Sequence, residues 1–276
     1  MSKKNRIVAA TTAAGALALS AALAAPVSAA QTVQSAGKAG IVADHSRKPT
    51  VVLIHGAFAD ASSWSGEITQ LEGDGYQVIA PAVPLRGLAS DAAYIASLVR
   101  SINGPVVLVG HSYGGAVATE VAAGDPHQIK AIVYVAGFIP QAGENVLQLS
   151  NQFPGSLLGP DTSSTVDFPG GTGLYIKPAD FRAAFAADRT PAQAAVAAAT
   201  QRPITLAAAS EPAAASVPAG IPLYELVAGQ DKMIPPAAEK FMAQRAGATI
   251  YTVNSAHDMP LSHPRAIVSV IERAAR

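Results

Sequence analysis

The stretch from Val106 to Ala118, with the sequence VVLVGHSYGGAVA, constrains the fold of this chain more than any other. Its first five residues are apolar or small, mostly β-branched, and follow a Gly-Pro pair, which predicts a short buried strand. The next residues, GHSYG, match G-x-S-x-G around Ser112, and the small residues after them predict a helix over 115–123. Strand, tight turn and helix are the setting of a nucleophile elbow, whose glycines permit a strained turn that exposes the serine hydroxyl. The alternative is a glycine-rich turn without chemistry, which the flanking strand and helix disfavour.

The first thirty residues have the features of a secretory signal peptide. Basic residues at positions 3, 4 and 6 precede an uncharged apolar run over 7–23, and small residues over 25–30 offer a cleavage site. The alternative is an N-terminal membrane anchor, which the small residues at the end of the run disfavour. We therefore expect a signal peptide over 1–30, a leader over 31–48 with a short strand at 40–43, and no membrane anchor after cleavage. The mature protein would be secreted, extracellular or periplasmic according to the host.

The composition limits the partners and cofactors of the chain. It contains no cysteine, which excludes disulfides and cysteine-based metal sites. Without the three basic residues at its start, 16 basic residues remain against 19 acidic ones. This mild balance offers no electrostatic case for binding nucleic acid or an anionic membrane surface. No cluster of histidines or carboxylates has the spacing of metal ligands, so neither a metal nor an organic cofactor is expected.

Strands and helices alternate along most of the remaining chain. Besides the strand before Ser112, short apolar runs predict strands at 51–54, 76–80, 129–135, 223–227 and 249–253. Helical spacing and capping residues predict helices at 64–72, 90–102, 236–244 and 263–275. The alternation predicts an α/β domain over 49–276, with a mostly parallel sheet of about six strands and helices on both faces. In such sheets the chemistry collects at the C-terminal ends of the strands.

The segment 138–220 interrupts this alternation. It is rich in proline, glycine, serine and alanine, and it shows no clear buried strand. Helical pieces are expected at 178–187 and 191–200, after a loop over 154–173. We interpret the segment as a cap inserted over the active site.

Four loops that follow predicted strands carry the residues with candidate chemistry. They are HGAF at 55–58, GHSYGG at 110–115, AGQD at 228–231 and NSAH at 254–257. The last three supply a serine, an aspartate and a histidine in the chain order of an α/β-hydrolase triad.

These loops resemble those of the α/β-hydrolase superfamily, through HGAF, GHSYGG, AGQDKMIPP and SAHDMPLSHP. Within it, the H-G-A loop leading to SSW at 62–64, together with YVAGFIP after the fourth strand, resembles the branch of small esterases and hydroxynitrile lyases. The resemblance covers 49–276; it is strong at the four loops and weak across 138–220. It implies the α/β-hydrolase fold and a serine nucleophile.

Each candidate residue takes a role that its chemistry allows. Ser112 is the nucleophile, whose hydroxyl needs a base within hydrogen-bond reach. His257 is that base, and later the acid that protonates the leaving alcohol. Asp231 fixes the imidazole tautomer and stabilises the imidazolium. The backbone N–H groups of Tyr113 and Ala57 form the oxyanion hole, the latter by its family position directly after H-G.

Other titratable residues near these loops have structural explanations. His263 lies where the last helix begins and is expected to cap or pack there. His111 is expected to pack below the serine, and His55 to orient the oxyanion loop. Asp258 adjoins the histidine in sequence and would point away from its Nδ1. For Asp231, the alternative to a triad role is a carboxylate that interacts only with a helix dipole.

Aromatic residues are available to line an apolar substrate pocket. The candidates are Phe58 and Trp64 from the core, and Phe153 and Phe181 from the cap, with Tyr113, Phe168, Tyr175 and Phe185 as further ones. Core packing is an equally open explanation for each. The basic residues of the cap are scattered, which disfavours phosphorylated and coenzyme-A substrates. The expected substrate is a small to medium uncharged ester.

The sequence therefore predicts a secreted carboxylesterase that forms an acyl-enzyme. Two alternatives stay open: a lyase, perhydrolase or cofactor-free haloperoxidase on the same fold, and a small-molecule binder without turnover. Lyases of the resembling branch place a lysine directly after the triad histidine, where this chain has Asp258. Epoxide hydrolases and haloalkane dehalogenases need a carboxylate nucleophile, which Ser112 excludes.

Overall fold

A computed structural model describes residues 48–276 of the chain. The expected signal peptide over 1–30, the strand at 40–43 and all of the leader except Lys48 lie outside this range. No helix within the described range is long and apolar enough to cross a membrane.

Nine strands and ten α-helices follow one another in the described range. In chain order they are β1 (Thr50–Ile54), α1 (Ser65–Gly73), β2 (Val78–Ile79), α2 (Leu88–Arg100), β3 (Val106–His111), α3 (Tyr113–Gly124), β4 (Ile129–Val135), α4 (Val146–Asn151), β5 (Ser163–Phe168), β6 (Gly171–Ile176), α5 (Pro178–Ala184), α6 (Pro191–Thr200), β7 (Ile204–Thr205), α7 (Leu206–Ser210), β8 (Leu223–Ala228), α8 (Pro236–Ala246), β9 (Thr249–Val253), α9 (Met259–Ser262) and α10 (Pro264–Ala274).

The central sheet has six strands in the order β2-β1-β3-β4-β8-β9, and every neighbouring pair is parallel. The predicted fold class is thereby confirmed. From β1 the chain runs outward to β2, returns to β3 on the other side of β1, and then continues in the opposite direction. The direction of winding therefore changes between β1 and β3. Loops after these two strands diverge and leave a crevice, which is the usual binding place in open α/β sheets.

Alternate residues of the central strands pack on opposite faces of the sheet. In β1, Val52 and Ile54 join one buried cluster, while Val51 and Leu53 join the other. The first cluster is covered by α2, α3, α8 and much of the cap, and the second by α1 and α10. Because both faces are covered, the strands are almost continuously apolar, as parallel strands usually are.

The segment 138–220 contains a small sheet, which corrects the expectation of a loop over 154–173 and of no clear buried strand in the segment. Strands β5, β6 and β7 pair antiparallel in that order. The sequence pattern hid them because β5 is largely exposed, and the only large apolar side chains that β6 buries are those of Leu174 and Ile176, among glycine, threonine and tyrosine. Helices α5 and α6 occupy the two regions predicted to be helical.

Three element boundaries in the core differ from the predicted ones. Strand β2 has two residues instead of the five over 76–80, because it pairs with β1 through only two positions. The helix expected from Trp64 begins at Ser65, after a 3-10 turn whose first N–H groups are capped by the Asp60 carboxylate. The last predicted helix begins at Pro264 and is preceded by the short α9.

The start of α3 packs against the ends of β1 and β3 with no space for side chains. A Cβ atom at Gly114 would overlap the carbonyl oxygen of Ile54. A Cβ atom at Gly110 would lie 2.5 Å from the carbonyl oxygen of Gly114. The glycines of the motif are therefore required by backbone-to-backbone contact.

We expect Gly114→Ala to lower the free energy of unfolding by about 3 kcal/mol, because the new methyl group must displace backbone rather than a mobile side chain. Gly124→Ala at the other end of α3 is the matched control, since a Cβ there meets nothing within 4 Å. Urea unfolding followed by circular dichroism measures both variants. Equal stability of the two would contradict the close packing of α3 on β1.

Candidate active site

Ser112 lies at the turn between β3 and α3 in a strained backbone conformation. Its φ is 53° and its ψ is −122°, a region that costs about 1–3 kcal/mol for a residue with a side chain. Hydrogen bonds hold the turn in place. The Ser112 N–H donates to the Val135 carbonyl at 3.2 Å, and the Ser112 carbonyl accepts from Gly115 at 2.9 Å and Phe138 at 3.1 Å. The elbow is thus anchored to β4 and to the start of the cap.

His257 and Asp231 form a buried pair at the ends of β9 and β8. Nδ1 of His257 lies 2.5 Å from Oδ2 of Asp231. The other oxygen, Oδ1, accepts hydrogen bonds from the N–H groups of Met233 at 2.6 Å and Ile234 at 2.9 Å. These donors orient the carboxylate to accept from Nδ1–H, and an imidazole that donates from Nδ1 keeps Nε2 as its acceptor whenever the ring is neutral.

Within residues 48–276 no hydrogen bond joins the Ser112 hydroxyl to Nε2 of His257. In free enzymes such catalytic hydrogen bonds are commonly long or poorly aligned, and they tighten when substrate binds. The His257–Asp231 hydrogen bond is therefore formed, and the Ser112 hydroxyl in the turn is not bonded to this pair.

His111 supports His257 from below, in the position expected for it. Nε2 of His111 lies 2.9 Å from the carbonyl oxygen of His257, and the two rings lie 4.9 Å apart. Complete burial holds the pKa of His111 well below its usual range, so its imidazole is neutral and Nε2–H donates to that carbonyl. This bond fixes the main chain of the histidine loop relative to the elbow.

The loop after β1 lies directly beside the serine. A Cβ atom at Gly56 would be 2.7 Å from Cβ of Ser112. His55 holds this loop, because its Nε2 accepts from the Val83 N–H at 2.9 Å and its Nδ1 donates to the Gly56 carbonyl at 2.9 Å. Burial lowers the pKa of His55 to about 4, so it is neutral and can fill both roles.

The backbone N–H groups of Ala57 and Tyr113, near the serine, have no hydrogen-bond acceptor among residues 48–276. Tyr113 is the first residue of α3, where N–H groups have no partner within the helix and the helix dipole favours negative charge. These are the two N–H groups predicted to form the oxyanion hole, and that role stays a prediction.

The cap holds the histidine loop from above. The carboxylate of Asp188 accepts from the Ser255 hydroxyl at 3.1 Å and from the Ala256 N–H at 3.0 Å. The Phe185 carbonyl accepts from the N–H that follows His257 in the chain, and the Phe185 ring packs 5.0 Å from the His257 ring. These contacts could not be predicted from the sequence, because Asp188 and Phe185 lie in a segment without a recognisable motif.

His263 and Asp258, which were weighed as alternatives to His257 and Asp231, lie in other positions and make other contacts. His263 lies at the start of α10, with Nδ1 2.8 Å from the Ser262 hydroxyl. Asp258 is buried, and burial raises the pKa of its carboxyl to about 7. It is Asp231, and not Asp258, whose carboxylate meets Nδ1 of His257.

Two cavities lie beside these loops. The serine cavity, of about 30 Å³, is lined by Ala57, Phe58, Ser112, Tyr113, Phe138, Val146, Leu147, Ser150, Leu158, Leu174, Ile204, Ala209, Met233 and Ile234. The side cleft, of about 270 Å³, is lined by Phe58, Ala59, Asp60, Ser62, Ser63, Phe185, Arg189, Gln193, Val196, Ala197, Thr200, Asp258 and Leu261. Phe58 lines both, so it separates the two spaces.

Three of the four aromatic residues proposed for the pocket do not line either cavity. Trp64 is fully buried beneath the elbow, with its ring 6.3 Å from that of His111. Phe181 is buried behind Phe185, and Phe153 packs on Phe241 of α8. Their large apolar surfaces join the cap and α1 to the core, and the serine cavity is lined mainly by aliphatic residues instead.

The family model of the alpha/beta hydrolase family matches residues 51–270. The chain belongs to the alpha/beta hydrolase family. Two solved structures share its fold. A pyrethroid hydrolase from Sphingobium faniae JZ-2 has a TM-score of 0.68 at 20% identity, over 82% of this chain and 97% of its own. Polyneuridine aldehyde esterase has a TM-score of 0.70 at 19% identity, over 83% and 100%.

Among curated proteins, the carbendazim hydrolyzing esterase of Nocardioides sp. (strain SG-4G) is 30% identical over 110 residues, which are 36% of this chain and 46% of that protein. Putative methylesterase 11 of Arabidopsis thaliana is 29% identical over 123 residues, or 40% and 32%. The matched part of the chain thus spans less than half the length of these relatives. With the family model, they confirm the predicted resemblance to the esterase branch of the family.

We expect Asp188→Ala to loosen the histidine loop, because it removes the acceptor of the Ala256 N–H and the Ser255 hydroxyl. Hydrogen exchange read by mass spectrometry should show faster exchange of peptides covering 254–258, with no change in the central strands. Asp161→Ala in an exposed turn of the cap is the matched control. Unchanged exchange at 254–258 in Asp188→Ala would contradict the contact described here.

Proposed function

We propose that the chain is a serine carboxylesterase that cleaves small uncharged esters through an acyl-enzyme. One observation carries the proposal: Ser112 in its strained turn lines one small cavity together with Ala57 and Tyr113, whose N–H groups have no acceptor among residues 48–276, and a buried His257–Asp231 pair lies at the same edge of the sheet. Family membership and the esterase names among the relatives support the same reaction class.

The reaction starts at Ser112 in this proposal. As its Oγ attacks the ester carbonyl carbon, Nε2 of His257 accepts the hydroxyl proton. The carbonyl oxygen becomes an oxyanion and accepts hydrogen bonds from the N–H groups of Ala57 and Tyr113. Asp231 stabilises the imidazolium that forms.

The second half of the reaction reverses the roles of the same groups. The imidazolium of His257 protonates the departing alkoxide, so that the alcohol leaves and an acyl group remains on Ser112. Water then attacks the acyl carbon while His257 accepts its proton, and collapse of the second tetrahedral intermediate returns the proton to Ser112. The products are one carboxylic acid and one alcohol, and the enzyme is regenerated.

The size of the serine cavity favours short acyl groups. Its 30 Å³ corresponds to room for about two water-sized groups before any side chain moves. Its far wall is built by the cap sheet, where Leu174 of β6 pairs with Ile204 of β7. Long chains would have to displace this wall or leave through the side cleft.

We further propose that the protein is secreted. The basis is the pattern over 1–30 described above: a basic start, an uncharged apolar run and a small-residue end. Expression of the full chain in its host, with N-terminal sequencing of the protein recovered outside the cytoplasm, tests this. Mature protein that starts near residue 31 would support it, and intact protein retained in the cytoplasm would contradict it.

Ser112→Ala should abolish hydrolysis of p-nitrophenyl acetate and leave the melting temperature close to that of the wild type, since only the nucleophilic oxygen is lost. The measurement is release of p-nitrophenol, together with thermal unfolding of the same samples. Ser62→Ala, in the exposed turn after the oxyanion loop, serves as the control for loss of a serine hydroxyl. Wild-type turnover in Ser112→Ala would overturn the proposed function.

The acyl preference should follow the wall of the serine cavity. We expect kcat/KM for p-nitrophenyl acetate or butyrate to exceed that for the octanoate at least about tenfold, a difference that about 1.4 kcal/mol of steric cost in the transition state supplies. Leu174→Ala should shift the preference towards longer chains, whereas Leu206→Ala, an exposed residue of the same cap, should not. A wild-type enzyme that prefers the octanoate would contradict the assignment of this cavity to the acyl group.

A further inference from the structure

Behind the Asp231 carboxylate lie two more acidic side chains, Glu225 of β8 and Glu239 of α8. Both are fully shielded from solvent, and Asp231 is 2% exposed. The carboxyl group of Glu239 lies within hydrogen-bond reach of both Asp231 and Glu225. The carboxyl groups of Glu225, Glu239 and Asp231 therefore form one buried row, and Asp231 at its end is the hydrogen-bond partner of His257.

Each glutamate has one oxygen with a donor and one without. Oε2 of Glu239 accepts from the Ala228 N–H at 3.0 Å, and Oε1 of Glu225 accepts from the Gly137 N–H at 3.2 Å. The remaining oxygens, Oε1 of Glu239 and Oε2 of Glu225, are buried and have no hydrogen-bond donor in the described part of the chain.

Three carboxylates this close cannot all be ionised in a buried place without cations. Within residues 48–276, no group of three His, Asp or Glu side chains is arranged to bind a metal ion. Asp231 is the group with donors suited to an anion, since two N–H groups and the His257 ring surround it. The two glutamates are left with the protons, and burial together with the neighbouring acids raises the pKa of both.

We propose that Glu239 is a positioning residue that stays protonated and donates a hydrogen bond from Oε1 to the Asp231 carboxylate. Oε2 accepts from the Ala228 N–H, and the buried Oε1 has no donor in the described part of the chain, so the proton belongs on Oε1. This hydrogen bond holds the Asp231 carboxylate in the orientation that positions His257. It also reduces the negative charge on the carboxylate oxygens beside the imidazole. This inference rests on the proposed role of the His257–Asp231 pair in ester hydrolysis.

Two substitutions separate the hydrogen bond from the filled volume. Glu239→Gln keeps a donor beside Asp231, whereas Glu239→Leu fills the space without one. We expect the leucine variant to lose about 10- to 100-fold in kcat with KM little changed, which is the range for a lost hydrogen bond to a charged group. The acid limb of its kcat/KM profile should move to higher pH, because Asp231 then carries more charge and holds the imidazolium more strongly. The glutamine variant should retain most of the activity and the wild-type acid limb.

The proton on Glu239 is tested without any turnover. A carboxyl group that is ionised in the unfolded chain but protonated in the folded one costs stability as the pH rises above its unfolded pKa. As the pH rises from 5 to 8, the melting temperature of Glu239→Gln should therefore increase relative to that of the wild type. Glu72→Gln, at an exposed glutamate of α1, should show no such gain.

Either of two results would overturn the proposal. One is a constant difference in melting temperature between Glu239→Gln and the wild type across this pH range, which would mean that Glu239 is not protonated. The other is wild-type kcat and an unmoved acid limb in a folded Glu239→Leu variant, which would mean that the hydrogen bond does not position Asp231. Because the thermal comparison needs no substrate, it decides on the proton even if Ser112→Ala disproves the esterase reaction.

Discussion

The structure depends on the close contact between the start of α3 and the ends of β1 and β3. Only glycine allows this approach, since a methyl group at Gly114 would occupy the place of a β1 carbonyl. The contact bears on the site in two ways. It accompanies the strained turn at Ser112, and it brings the loop after β1 against the serine, so that Ala57 and Tyr113 line the same cavity as Ser112. A packing constraint between three pieces of backbone thus sets the positions of the proposed nucleophile and of the two N–H groups proposed as oxyanion donors.

His257 is held in place by a different kind of interaction. Its own loop is short, and its position is fixed by hydrogen bonds from other elements: His111 below, Asp231 beside it, and the Phe185–Asp188 segment of the cap above. The cap therefore does more than cover the serine cavity, because it also stabilises the loop that carries His257, the proposed general base. Changes in the cap that alter substrate size are expected to affect the base as well when they reach this segment.

The sequence was sufficient for the central sheet and for bringing Asp231 and His257 together at its strand ends. Strands such as β3 are buried on both faces, so their apolar runs are unambiguous, and loops at strand ends of one parallel sheet must meet at one edge. It was insufficient where burial is partial. Strands β5 and β6 carry glycine, serine and threonine in a partly exposed hairpin, and β6 is joined to β7 only by pairing with residues about thirty positions further along the chain. Trp64 shows the same limit, because nothing local distinguishes an aromatic residue beneath the elbow from one in a pocket. Glu225 and Glu239 also escape a pattern search, since they look like ordinary polar positions until the fold buries them.

The most direct test of this account is to trap the intermediate on the nucleophile. Wild-type enzyme would be mixed with p-nitrophenyl acetate, quenched in acid within the first turnovers, and digested with trypsin. The peptide over 101–130 should carry one acetyl group, which fragmentation assigns to Ser112. Rapid p-nitrophenol release with this peptide unmodified, or with the acetyl group on another residue, would contradict the proposal that Ser112 is the nucleophile of an ester hydrolase.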